Sequence, residues 1–371
     1  MIEPTVTQYI PDYASVPGDT IAEILELRGM SQVDLARRLG LATKTVNEIV
    51  KGKAPITPET SIKLEHVLGV PASFWNAREQ QYREILARKS DKAERVRQVS
   101  WLSELPVREL VRREAIPPSK DKAALVQSLL RFFGVASVDQ WREVWKGVAV
   151  SFRKTKAYES RMGSLAAWLR LGELEAQRIE CEAYNAKAFK QHLADIRRLT
   201  PAEPDAFEPE LRRLCAESGV AFVLIPELPH TRACGATRWL NPDKAILQLS
   251  LRYRSNDQFW FSFFHEAGHI LLHSSKEVFI EGSDCKSDKE EQADAFAANT
   301  LIPASEYRRL KNVGIFSRAD VVAFAESIGI APGIVVGRLQ HDGLLPMSHL
   351  NDLKRRFISL LCAPSVPSML E

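Results

Sequence analysis

Apolar positions recur at helical spacing over most of this chain. Leu35, Ala36 and Leu39 share one face of SQVDLARRL, and Val46, Ile49 and Val50 share a face of the next segment. Ile62, Leu64, Val67 and Leu68 form a third apolar face. Local signals bound these helices. Ser31 with Asp34 three residues on is a variant capping box, and Gly40 and Gly52 supply stops. Thr57-Pro58 places an N-cap before a proline whose missing N–H costs little at the first helical position. A different pattern follows Asp205: the runs Val220 to Ile225 and Ala245 to Leu251 read as strands. The pattern predicts a mainly α protein with a small β-sheet.

The same pattern divides the chain. Residues 17–87 read as an N-terminal helical domain and 88–204 as a helical linker or sensor region, with a soft boundary near Arg88. Residues 205–345 read as an α+β domain and 346–371 as a tail. In the middle region Trp101, Trp141, Trp145 and Trp168 stand at helical spacings and are expected in a core. Near the end, ADVVAFAESIGIAPGIVVGRLQ reads as two helices around Gly329, the second too apolar to be exposed. The final CAPSVPSMLE is expected to be loose.

The 371 residues are 45% hydrophobic and 26% charged, an ordinary globular balance that argues against disorder. A net charge of +3 is too small to indicate nucleic acid by itself, so any DNA-binding charge must be local. Five scattered cysteines without a CxxC pair argue against a disulfide framework or a cysteine-rich zinc module. No leader-like segment opens the sequence and no apolar run of about 18 residues appears. The expectation is a cytoplasmic protein with no membrane partner.

Two short helices joined at Gly40 are the arrangement that lets the second lie in a DNA major groove. Between 28 and 53 six basic residues, Arg28, Arg37, Arg38, Lys44, Lys51 and Lys53, face only Asp34 and Glu48. Such cations neutralise phosphates. Gln32, Thr43, Lys44, Thr45, Asn47 and Lys51 are the candidate DNA contacts, base and phosphate contacts being indistinguishable at this level. Residues 17–75, ending in LGVPASFW, resemble the Cro/C1-type (XRE) helix-turn-helix domain, in the branch of HigA-like antitoxins. That resemblance implies a homodimer on palindromic double-stranded operator DNA. Phe74 and Trp75 are expected to pack the last helix.

The second chemical signal is FWFSFFHEAGHILLH. On a helix, His265 and His269 at i and i+4 share a face and can bind one metal ion, with Glu266 beside them as general base. The flanking aromatic residues make this helix apolar nearly all round, so it should be buried. Two histidines and a glutamate are costly to bury unless something binds them. A third ligand is needed. Ser275 and Leu272 break the metzincin pattern, and His273 reads as a packing or outer group. Glu290 is the candidate third ligand. Asp294, at i+4 from it, would accept from the outer nitrogen of a ligand histidine. For oxyanion stabilisation the candidates are His341 and Tyr253, and the Ala245 to Leu251 run is a candidate edge strand for an extended substrate.

HEAGH followed by ExQADxFAxxxLIP is similar to the ImmA/IrrE metallopeptidase family over about residues 234–303, with Thr300 and Ile302 where Leu and Met are frequent. The resemblance implies a zincin-like fold, Zn2+ on His265, His269 and Glu290, Glu266 as base, and a protein substrate, commonly a DNA-binding repressor. The combined expectation is a regulator or antitoxin carrying a zinc endopeptidase that cleaves a regulatory protein or itself. A toxin is the other expected partner. The alternative is a non-catalytic DNA-binding antitoxin with a structural metal.

Overall fold

Local chemistry sets where the N-terminal helices begin and end. The computed structural model describes residues 14–151, 159–231, 233–250, 252, 255–273, 278–280, 288–312, 314 and 316–357. Its backbone contacts divide the chain into two compact units, 1–98 and 99–371. In the first, α1 (Pro17–Leu27), α2 (Gln32–Leu39), α3 (Thr43–Val50), α4 (Pro58–Leu68) and α5 (Ala72–Arg97) follow one another. The Ser31 hydroxyl accepts from the Asp34 N–H, and the Thr57 hydroxyl from the Thr60 N–H, satisfying amides the helix leaves open. Gly40 closes α2 at φ 66°, a backbone form that glycine adopts without steric cost.

Ile21, Leu25, Leu35, Leu39, Val46, Ile49, Leu64, Leu68 and Trp75 build this unit's core. The Trp75 indole N–H donates to the Val70 carbonyl at 3.2 Å, so its one polar atom is satisfied on burial. Two expectations fail here. Ile62 is half exposed and Phe74 lies at the surface, touching Trp75 edge-on with centroids 5.2 Å apart. Leu64 and Leu68 already fill the inward stripe of α4, and Trp75 does so for α5.

The second unit opens with a 3-10 turn (Val99–Glu104), then α6 (Val107–Arg112), α7 (Lys122–Phe133), α8 (Val138–Ser151), α9 (Glu159–Arg178), α10 (Ala186–Arg198) and α11 (Pro204–Ala216). Strands β1 (Val220–Leu224), β2 (Gly235–Asn241) and β3 (Lys244–Leu249) lead into α12 (Asn256–Leu272). Then come β4 (Phe279–Ile280), α13 (Asp288–Leu301), α14 (Ala304–Lys311), α15 (Arg318–Ile328) and α16 (Pro332–His341). The strands form a mixed sheet in the order β1-β3-β2-β4, with β1 parallel to β3 and the other pairs antiparallel.

Both sheet faces are covered. Val220, Phe222, Ala245, Leu247 and Leu249 join the core built by α10 to α16. The alternate residues Ala221, Val223 and Ile246 join Trp101, Trp141, Trp145 and Trp168 on the other face. Gln248, on the same face as Ile246, donates from its side-chain amide to the Trp168 carbonyl at 2.8 Å. The region read as a linker or sensor at 88–204 is thus divided differently. α5 carries the first unit to residue 97, and the helices after it complete the core of the second. The candidate edge strand is also corrected: β3 is internal, with β1 and β2 taking both its flanks. Gly329 separates α15 from α16 at φ 68°, and α16 packs into the α12 core. Tyr253, Leu251, Ser275 and the last residues of the tail lie outside the described residues.

Candidate metal centre

α12 is buried nearly all round because Phe259, Trp260, Phe263, Phe264, Ala267 and Ile270 pack on every side of it. The same packing takes its polar residues out of water: His265 is 2% exposed, Glu266 0% and His269 1%. Helical spacing turns both imidazoles to one side, where α13 delivers Glu290. The Nε2 atoms of His265 and His269 are 3.0 Å apart. Glu290 Oε2 lies 3.1 Å from the first and 3.6 Å from the second. Donors arranged tetrahedrally at zinc bond lengths of about 2.0–2.2 Å sit roughly 3.3–3.6 Å from one another. The three observed separations lie within about 0.3 Å of that spacing, and two nitrogens with one carboxylate are a donor set zinc accepts. The residues fit the ion.

The outer nitrogens are also engaged. His265 Nδ1 donates to Asp294 Oδ1 at 2.8 Å. This leaves the Nε2 lone pair pointing at the donor cluster. His269 Nδ1 lies 2.9 Å from His273 Nδ1. Phe279 of β4 stacks on the His269 ring at 4.2 Å between centroids. Burial pushes the His269 imidazole below its ordinary value, which favours the neutral, ligating form. In the metal-free protein burial acts upward on Glu290, but hydrogen bonds from the two imidazoles outweigh it and hold the carboxyl at about 2. Glu291 faces solvent.

Glu266, one position after His265, turns about 100° around α12 and lies against β2. The Thr237 hydroxyl, at 2.6 Å, donates to its Oε2. Gly235 makes room for this carboxylate: a Cβ there would stand 2.6 Å from Oε1. Thr237, Gly235 and Phe279 were not found by sequence reasoning. They belong to β2 and β4, whose pairing has no signature in the local pattern.

His341 is not part of the donor cluster. Its side chain is 82% exposed at the end of α16 and pairs with Asp342 at 3.0 Å. It stands on the rim of a cavity of about 440 Å³ whose walls include Phe261, Asp294, Ile302, Ile334 and Arg338. That cavity meets the centre at Asp294. Among the described residues, His265, His269 and Glu290 are the group of histidine, cysteine and acidic side chains gathered closely enough to hold an ion.

In the first unit, Thr43, Lys44 and Lys51 are exposed and Gln32, Thr45 and Asn47 half-exposed. The Asn47 side-chain amide donates to Gln32 Oε1 at 3.2 Å, linking α3 to the start of α2. Lys44 and Glu48 stand 3.9 Å apart on the exposed face. No single helix among the described residues is long and apolar enough to cross a membrane.

Comparison with known proteins agrees with this division. Residues 21–75 match a helix-turn-helix family model, and residues 236–339 match the Peptidase M78 family, described as an IrrE N-terminal-like domain. An uncharacterized HTH-type transcriptional regulator of Escherichia coli, YddM, is 39% identical over 59 residues, 16% of this chain and 63% of that protein. The chain therefore spans less than two thirds of that relative's length. The structure of an addiction module antidote protein of a HigA family from Coxiella burnetii is 30% identical. It aligns over 22% of this chain and 89% of its own, with a TM-score of 0.21. The chain thus carries an XRE-type helix-turn-helix domain at its N-terminal side and an ImmA/IrrE-type Peptidase M78 domain at its C-terminal side.

Proposed function

We propose that this chain is a DNA-binding transcriptional regulator whose C-terminal domain is a zinc-dependent endopeptidase acting on a regulatory protein. The observation that carries the enzymatic half is the buried cluster of His265 Nε2, His269 Nε2 and Glu290 Oε2, with the Glu266 carboxylate at the adjoining helical position. In this reading those three atoms hold the ion. When bound, the ion supplies Lewis acidity toward a water molecule and a peptide carbonyl. Asp294 fixes the tautomer of His265 by accepting its Nδ1–H. Glu266 takes a proton at its carboxylate as the carbonyl is attacked and delivers one to the departing amine nitrogen. Thr237 orients that carboxylate.

The DNA-binding half rests on α2 and α3 with their cationic, solvent-facing side chains. Lys44 and Lys51 meet phosphates, and Gln32, Thr43, Thr45 and Asn47 lie within the contact surface. A homodimer on operator DNA in the cytoplasm, with a repressor-like substrate or a toxin as protein partner, completes the proposal.

One observation favours a second reading. Glu266 is fully buried and engaged by Thr237, as a carboxylate with only a structural duty would be. The metal would then stabilise a non-catalytic regulator. Co-expression of the chain with DNA-binding regulators encoded beside it separates the two. The peptidase reading expects cleavage by the wild type and none by Glu266→Gln, with zinc retained in both. Wild type that holds zinc and leaves every partner intact supports the structural reading, and cleavage by Glu266→Gln removes Glu266 as base.

A further inference from the structure

Carboxylates and backbone carbonyls are the usual acceptors for the outer nitrogen of a metal-binding histidine. His265 follows that habit through Asp294. His269 does not: its Nδ1 meets the Nδ1 of another imidazole, His273, at 2.9 Å. We propose that His273 is a positioning residue for the centre, passing tautomeric order from Gln292 to His269. The proposal rests on the metal-binding reading above.

Hydrogen-bond accounting fixes the direction. For Nε2 of His269 to present a lone pair toward Glu290 and His265, its single ring proton must sit on Nδ1. That N–H then donates, so His273 Nδ1 must accept and be bare. The remaining proton of a neutral His273 therefore lies on Nε2. The group facing that nitrogen is Gln292 Oε1, at 3.4 Å, and a carbonyl oxygen only accepts. One arrangement satisfies all three groups: Gln292 accepts from His273 Nε2–H, and His273 Nδ1 accepts from His269 Nδ1–H. The opposite order would place a proton on His269 Nε2 and remove it as a ligand.

Packing holds the relay in place. Phe279 stacks on His269 with an interplanar angle of 14° and lies 5.1 Å from the His273 ring, so one side chain restrains both imidazoles. His273 follows the last residue of α12 and has extended backbone. Its ring thus returns alongside the helix end instead of continuing the i, i+4 stripe. This explains how a third histidine at that spacing serves the centre without being a ligand.

The test uses the full chain. Zinc affinity is measured by competition with a chromophoric chelator for wild type, His273→Phe and His273→Asn. Phenylalanine keeps a ring beside Phe279 and removes the acceptor; asparagine keeps an oxygen near the Nδ1 position. Loss of an outer acceptor typically weakens metal binding about 10–100-fold, and that loss is expected for His273→Phe. His273→Asn should stay within a few-fold of wild type. Long-range proton–nitrogen NMR on the zinc-loaded wild type should show His269 protonated at Nδ1 and His273 at Nε2. Wild-type affinity in a folded His273→Phe, or a proton on His273 Nδ1, overturns the relay. If His273→Phe does not fold, the NMR pattern of the wild type still decides. A wild type that binds no zinc sinks the metal reading itself, which is a different result.

Discussion

Adding one methyl group to β2 should disconnect the proposed base from the proposed metal ligands. In Gly235→Ala the new Cβ would lie 2.6 Å from Glu266 Oε1 and 2.7 Å from its Cγ. Non-bonded contact is optimal near 3.5 Å, so the carboxylate and the strand must separate by roughly 1 Å. Overpacking of this kind costs about 1–3 kcal/mol of stability. Misplacing a reacting group by about 1 Å costs on the order of 100-fold in rate. The ligands are affected less. His265 and His269 face α13, on another side of α12, and Glu290 belongs to α13 itself. The expected outcome is a folded variant with a lower melting temperature, zinc affinity within a few-fold of wild type, and cleavage reduced about 100-fold or more. The assay pairs chelator competition with cleavage of whichever regulator the wild type cuts. A variant as active as wild type refutes the account of Glu266, and a folded variant that no longer binds zinc refutes the claimed separation between base and ligands.

Other expectations follow from the same geometry. Asp294→Ala removes the acceptor at His265 Nδ1 and should weaken zinc binding about 10–100-fold, read by the same competition. In the metal-free protein the depressed Glu290 carboxyl contributes stability that is present above its ordinary value of 4.5 and lost as pH falls toward about 2. Glu290→Gln should therefore flatten that part of an acid-unfolding curve, and an unchanged acid limb contradicts the pairing. Lys44→Ala and Lys51→Ala should each reduce the salt dependence of operator binding by about one ion, measured by titration at several salt concentrations. A slope that stays fixed removes these lysines from the phosphate contacts.

Much of the architecture is legible in the sequence because its causes are local. The caps at Ser31 and Thr57 and the left-handed turns at Gly40 and Gly329 act within a few residues. Spacing alone places His265 beside His269 and Glu290 in line with Asp294, since i and i+4 share a helix face. What escapes is tertiary. β2 has no continuous apolar run and β4 is two residues long, so Thr237 and Phe279 gain their meaning only from pairing within the sheet. The four tryptophans between Trp101 and Trp168 signal a core but not its partner. That partner is a sheet face formed by residues after Val220. β3 read as an edge because a hydrophobic run does not reveal how many neighbours a strand has. Ile62 and Phe74 show the limit of counting apolar residues: a helix face holds more of them than its core has room for.

The most direct test of the account is the metal content of the purified full chain, after zinc loading and removal of loose metal, compared with Glu290→Ala. Three protein ligands at one site lead to about one zinc per wild-type chain and little in the variant. A wild type that retains none, or a variant that retains as much as the wild type, contradicts the proposal that His265, His269 and Glu290 form the centre.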